Sequence, residues 1–165
     1  MANLILWRHA EAEVESKSGL DADRALTKKG RKDAEKMAIW LHQHLPENTE
    51  ILCSPALRCL ETAAALVDLS SHEKNHELKI TEFLGVDSSV EIIAGNITNA
   101  DISKTTLIIG HQPNLGLLIE KLAGMSDGAC AVKKGAVWWL RQRYISTPAG
   151  DALQTYVFTV QHPSY

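Results

Sequence analysis

No stretch of this chain approaches the roughly 20 consecutive apolar residues that a membrane-spanning helix needs, so no membrane role is expected. Cysteine is scarce. Cys53, Cys59 and Cys130 are odd in number and lack metal-ligand spacing, which argues against a disulfide framework and reads as three reduced thiols. Positive charge is not in excess either. A formal net charge of −3 disfavours a general nucleic-acid binder, which is usually clearly basic. The opening residues, MANLILWRHA, have no basic n-region, and their apolar run is too short for a signal peptide, so the expected compartment is the cytoplasm. Repeats, low-complexity segments and linkers are missing too. What remains is an ordinary globular balance, 45% hydrophobic and 22% charged over 165 residues, which fits one domain across 1–165 with a proper core.

Short apolar runs alternate with helical patterns. Leu4 to Trp7 reads as a strand buried on both faces. In LTKKGRKDAEKMAIWLHQHLP, Thr27 is a plausible N-cap, and Ala34, Met37, Ala38, Leu41 and Leu45 recur at helical spacing until Pro46. EILC is a second strand. SPALRCLETAAALVDL follows as a helix, with Ser54 expected as its N-cap and Pro55 at its first position. Residues 70 to 77 read as an exposed loop, LKITEFL as a strand, and Ser88 to Ile97 as a short helix. TTLIIG is a β-branched strand that Gly110 ends, HQPN turns the chain, and Leu115 to Ala123 resumes a helix. GAVWWLRQ and QTYVFTVQ read as two strands joined near STPAGD. Of the adjacent Trp138 and Trp139, one is expected in the core and the other partly exposed. Such alternation predicts an α/β fold, a three-layer αβα sandwich around a mostly parallel sheet.

In open α/β sheets, ligands gather beyond the carboxyl ends of the strands. Three strand ends carry unusual residues there. The first ends in Arg8-His9, the second leads through Ser54-Pro55 to Arg58, and the third is followed at once by His111. Two arginines and two histidines on one rim suit phosphoryl transfer. Arginine forks pair with phosphate oxygens and stay charged. The helix start after Ser54 adds free N–H groups. A neutral imidazole with one nitrogen fixed can attack phosphorus with the other. A second, protonated histidine can stabilise the equatorial oxygens, and no metal or other cofactor is then required.

RHA after the first strand, RALTKKG at 24 to 30, SPALRCLETA at 54 to 63 and GHQPNL at 110 to 115 come in one order over most of the chain. In this the chain resembles the histidine phosphatase superfamily (phosphoglycerate mutase-like), and within it the short SixA-type phosphohistidine phosphatases. Ala10 stands where many members of the superfamily have glycine. The resemblance implies that His9 is the phosphorylated nucleophile, with Arg8, Arg58 and His111 completing the phosphate pocket. It places Arg24 at the rim, oriented by Asp21 or Asp23, and makes Glu82 a candidate general acid, against a simple surface carboxylate. It implies a phosphoglycerate mutase-like fold without a large lid insertion, and metal-independent removal of phosphate through a covalent intermediate. The implied substrate is a phosphorylated protein, such as the histidine phosphotransfer domain of a signalling relay. A small phosphorylated metabolite, or a phosphate-binding module without turnover, are the alternatives.

Blander readings stand beside these. Arg58 could be a surface arginine and His111 a turn histidine. His42 and His44, two apart on a helix, cannot share a face and are expected to be solvated. His72 and His76 could chelate a metal only if their loop were helical, for which the sequence offers little. Glu11 and Glu13 read as part of a solvated loop. Cys53 precedes Ser-Pro-Ala-Leu-Arg58, which invites comparison with cysteine phosphatases. Those need five residues between thiolate and arginine, whereas four intervene here, so Cys53 is expected to be a buried strand residue.

Overall fold

The computed structural model describes residues 2–70, 76–97 and 103–165. Most of the loop expected at 70 to 77, including His72, lies outside them. The strands are β1 (Ala2–Arg8), β2 (Glu50–Cys53), β3 (Glu77–Ile80), β4 (Thr105–Gly110), β5 (Val137–Thr147) and β6 (Gly150–Gln161). The helices are α1 (Lys28–His44), α2 (Leu57–Ser70), α3 (Val90–Ile97) and α4 (Asn114–Ala123). The sheet order is β3-β2-β4-β1-β5-β6. β1 to β4 run parallel, and the β5–β6 hairpin closes one side antiparallel.

The three layers follow from alternation along the central strands. Ile5, Trp7, Leu107 and Ile109 point to one face, where Met37, Ala38 and Leu41 of α1 and Ala63 and Leu66 of α2 cover them. Leu4, Leu6 and Ile108 point to the other, against Ile93 and Ile97 of α3 and Leu115, Leu118 and Ile119 of α4. Crossovers running from β1 out to β3 put their helices on one face, and the return to β4 puts its helix on the opposite face, as right-handed connections require. That reversal makes a switch point beside β4. Register then sets the level of the rim: Arg8 pairs with Gly110, and Cys53 with Ile109. The residues that follow, His9, Ser54 and His111, therefore leave the sheet together.

Thr27 caps α1 by accepting the Gly30 N–H at 2.9 Å, and Trp139 is buried while Trp138 is only partly so. Three expectations are corrected. The strand in LKITEFL stops at Ile80, and Glu82–Leu84 forms a 3-10 turn, because the chain leaves the sheet to bury Leu84 in the α3/α4 core. Ser54 is not the cap of α2. Its N–H donates to Ile109 O at 3.0 Å just past the end of β2, its Oγ accepts from Ala56 N–H at 3.3 Å ahead of the helix, and the first i to i−4 bond runs from Leu60 N–H to Ala56 O. His42 is half-buried beside Ser70 Oγ at 3.4 Å, whereas His44 is exposed and stacks on Trp40.

Candidate active site

His9 is held at three points. Its N–H donates to Gly110 O and its carbonyl accepts from Gly135 N–H, both at 3.1 Å. Its ring Nδ1 lies 2.7 Å from Ala10 O. A carbonyl can only accept, so Nδ1 carries the proton and Nε2 keeps its lone pair. That is the tautomer a histidine nucleophile needs.

His111 faces it, with ring centroids 5.3 Å apart. Its Nε2 lies 2.8 Å from Ser54 Oγ and 3.6 Å from Cys59 Sγ. Both rings and Arg58 are nearly closed off, at 7%, 6% and 3% exposure. Burial, and then the neighbouring His111, Arg58 and Arg8, push the His9 pKa down to about 3, although the Ala10 carbonyl opposes this. Burial and Arg58 bring His111 down to about 4. Both imidazoles are thus neutral at pH 7, so the protonated His111 expected beside phosphate oxygens is not the resting form. The proton has to arrive with an anion.

The arginines are placed by carbonyls and one carboxylate. Arg58 donates from Nη1 to Asp21 O at 2.9 Å and from Nη2 to Asp21 Oδ2 at 3.1 Å. Arg24 donates from Nε to Asp21 Oδ1 and from Nη1 to Glu13 O, each at 2.9 Å. Of the two aspartates weighed as its orienter, Asp21 does the work. The carboxyl of Asp21 is lowered despite its desolvation, because Arg58 and then Arg24 bond to it. Arg8 reaches Val132 O from Nη1 at 2.9 Å. The Nε atoms of Arg8 and Arg58 are buried without a protein acceptor among the described residues. Buried guanidinium donors left over in this way suit an oxyanion.

Glu82 sits exposed on the turn after β3, in a cleft it shares with Asp21 and Ser54. Cys53 is fully buried, its Sγ donates to Ser54 O at 3.3 Å, and burial pushes its pKa up, so it offers no thiolate.

Sequence reasoning missed several positioning groups. Ser54 Oγ fixes the His111 ring. Thr62 Oγ1 accepts from Ala10 N–H at 3.2 Å and donates to Arg58 O at 2.7 Å, tying the loop after β1 to α2. The i to i+4 spacing of Arg58 and Thr62 was the available signal. Glu11 is no mere solvated residue. Its carbonyl accepts from Thr27 N–H at 3.0 Å, and its carboxyl accepts from Thr27 Oγ1 at 2.8 Å.

The family model for the histidine phosphatase superfamily (branch 1) matches residues 4–94. The chain belongs to this superfamily. The matched residues hold Arg8, His9, Arg24, Arg58 and Glu82; His111 lies beyond them and joins the site through the fold. Among similar sequences, an uncharacterised protein of Mycobacterium leprae is 28% identical over 114 residues, covering 69% of this chain and 67% of its own. Structural likeness within the superfamily extends over nearly the whole chain. SixA from Agrobacterium tumefaciens, a candidate phosphohistidine phosphatase, has a TM-score of 0.78 at 18% identity, covering 98% of this chain and 97% of its own. A candidate of the same kind from Nakamurella multipartitia gives 0.76 at 22% identity, covering 99% and 97%. The protein histidine phosphatase SixA in complex with tungstate gives 0.75 at 20% identity, covering 98% and 97%. The phosphoglycerate mutase-like superfamily fold is thus common to all four chains.

Proposed function

We propose that this protein is a SixA-type phosphohistidine phosphatase, acting on a phosphorylated protein side chain through a covalent intermediate on His9. The observation that carries the reading is the Nδ1-fixed His9 ring, its Nε2 lone pair free, opposite a neutral His111 and beside buried guanidinium donors without acceptors. His9 Nε2 attacks the phosphorus and the bond from phosphorus to the leaving nitrogen breaks. Glu82 supplies the proton that the leaving imidazole takes. Water then attacks phosphohistidine-9, passing a proton back to Glu82 as the bond from phosphorus to Nε2 breaks, which releases inorganic phosphate and restores the ring. Arg8, Arg58 and Arg24 bind the equatorial oxygens, whose charge gives His111 its proton. Tungstate is a tetrahedral oxyanion like phosphate, and its complex with a structural neighbour supports oxyanion binding by this fold. A histidine phosphotransfer domain is the proposed physiological donor, met in the cytoplasm.

Trapping the phosphoenzyme tests this. After a short incubation with a phosphohistidine protein, the denatured chain should carry phosphate that is acid-labile and alkali-stable. The label should vanish in His9→Ala and persist in Cys53→Ser. A label retained by His9→Ala would overturn the proposal. Turnover of small phosphate esters with none of phosphoproteins would redirect it to metabolites.

A further inference from the structure

Beside the histidine pair lies a cleft of about 770 Å³, lined by Asp21, Ser54 and Pro55 on one side and by Glu82, Phe83, Val86, Asp87, Ser88 and Ile92 on the other. It adjoins the chemistry through two shared residues, since Ser54 holds His111 and Asp21 holds Arg58. Its far wall is fixed in advance. Thr81 N–H donates to Cys53 O at 2.9 Å, Gly85 N–H to Glu82 O and Ser88 N–H to Gly85 O at 3.0 Å, and Asn114 Nδ2 to Ser88 O at 2.9 Å. A wall so tied to β2 and α4 is a formed surface for a substrate.

The lining has two characters. Pro55, Phe83, Val86 and Ile92 make it apolar, and Val86 and Ile92 stand about half exposed, at 45% and 51%. The charges in it are all carboxylates: Asp21, Glu82 and Asp87, with no lysine, arginine or histidine on the wall. Asp21 is neutralised by Arg58 and Arg24, whereas Glu82 and Asp87 make no ion pair among the described residues. Ser88 Oγ is shielded and has no protein partner among them. An apolar trough rimmed by unpaired carboxylates is complementary to a lysine or arginine side chain, whose methylene stem buries while its cationic head stays at the rim. The same rim repels a second anionic group on the leaving side of the phosphate.

We propose that this cleft binds the protein segment flanking the phosphorylated side chain and selects for a basic residue in it, with Asp87 as the specificity-determining carboxylate. The proposal rests on the phosphoprotein reading above and narrows it to substrates with a lysine or arginine next to the phosphohistidine.

The test uses the full chain and two synthetic phosphohistidine peptides identical except for Lys or Glu beside the modified residue. The Lys peptide should have a kcat/KM about five- to ten-fold higher, as for one opposite-charge pair near a protein surface, with the preference shrinking at high salt. Asp87→Lys should invert the ratio in favour of the Glu peptide, a charge-swap rescue that no general loosening of the wall would produce. Asp87→Asn should remove most of the preference. Equal rates on both peptides, or a ratio that Asp87→Lys leaves unchanged, would overturn the proposal. If neither peptide is turned over, the phosphoprotein reading fails on its own, and phosphoethanolamine against phosphoglycolate decides the cleft. A preference for the cationic ester that Asp87→Lys removes sustains carboxylate selection, and equal rates end it.

Discussion

The imidazoles of His9 and His111 stand 5.3 Å apart and tilted by 59°, and each already has one nitrogen engaged, His9 Nδ1 by Ala10 O and His111 Nε2 by Ser54 Oγ. Two neutral rings this close, with Arg58 nearby, make a site whose charge state depends on what enters it. A tetrahedral dianion reverses the local field, and His111, pushed down to about 4 by burial and Arg58, then gains its proton. Tungstate binding should therefore take up a proton and tighten as pH falls from neutral toward about 4, the His111 value in the free site. Calorimetry in buffers of different ionisation enthalpy measures the uptake directly. His111→Asn should abolish it, and binding without proton uptake in the native protein would contradict the assignment.

The same depressed values link the site to stability. The folded pKa values, about 3 for His9 and about 4 for His111, lie below the ordinary 6.5, so the unfolded chain takes up protons first as pH falls. Stability is therefore full above pH 6.5, declines between 6.5 and about 4, and stops declining on this account below about 3. The slope is at most about 1.4 kcal/mol per pH unit for each ring. Urea midpoints across this range should show it, and the His9→Asn/His111→Asn variant should have a shallower slope.

Asp21 is the common partner of Arg58 and Arg24, accepting from both guanidinium groups through different carboxyl oxygens. Asp21→Ala leaves Arg58 with only the residue 21 carbonyl and Arg24 with only Glu13 O. Both forks then lose a fixed direction. The exposed carboxylate adds little to stability, so Tm should barely move, while KM for an aryl phosphate should rise on the order of ten-fold through lost preorganisation. An unchanged KM would mean that the forks are held by other contacts.

Gly30 is required by close approach. A Cβ there would stand 2.1 Å from Glu11 O, a backbone atom that cannot swing aside. Gly30→Ala must push α1 away from the loop that carries His9, and should cost about 1–3 kcal/mol in a denaturant titration, as overpacking does. Activity should fall more steeply than for a surface alanine substitution, because Glu11 lies two residues beyond the nucleophile.

The rim was legible because its chemistry sits at strand ends, where an apolar run stops on an arginine or a histidine. Thr27 and Gly30 were visible as a cap and a motif, though the sequence alone held no reason for the glycine. Ser54 was misread because Ser-Pro before a helical pattern looks like a cap, while the bond of its N–H to Ile109 O at the end of β4 holds it short of α2, which begins at Leu57. The end of β3 was missed for a related reason. Phe83 and Leu84 look like strand residues, and only the presence of a second core on the α3/α4 face turns them out of the sheet. The least legible partners were the carbonyls of Val132 and Gly135, about 125 residues away from Arg8 and Trp7, since backbone acceptors leave no trace in residue type.

That last segment is held by a buried carboxyl. Glu120 on α4 is 4% exposed; its Oε1 accepts from Cys130 N–H at 2.9 Å, and its Oε2 has no partner among the described residues. From Cys130 the chain runs to Val132, whose carbonyl holds Arg8 Nη1, and on to Gly135, which bonds His9 O and Trp7 Nε1. That path predicts that Glu120 positions Arg8 through the segment from Cys130 to Val132. Glu120→Ala orphans the Cys130 N–H and should weaken tungstate binding several-fold, with a rise in KM larger than any fall in kcat. Glu120→Gln should restore both, because the amide oxygen accepts the same bond. A double-mutant cycle with Arg8→Ala separates this from a general loss of stability: if Glu120 acts through Arg8, its loss costs little binding once Arg8 is gone. Fully additive losses would show that Glu120 serves the fold alone.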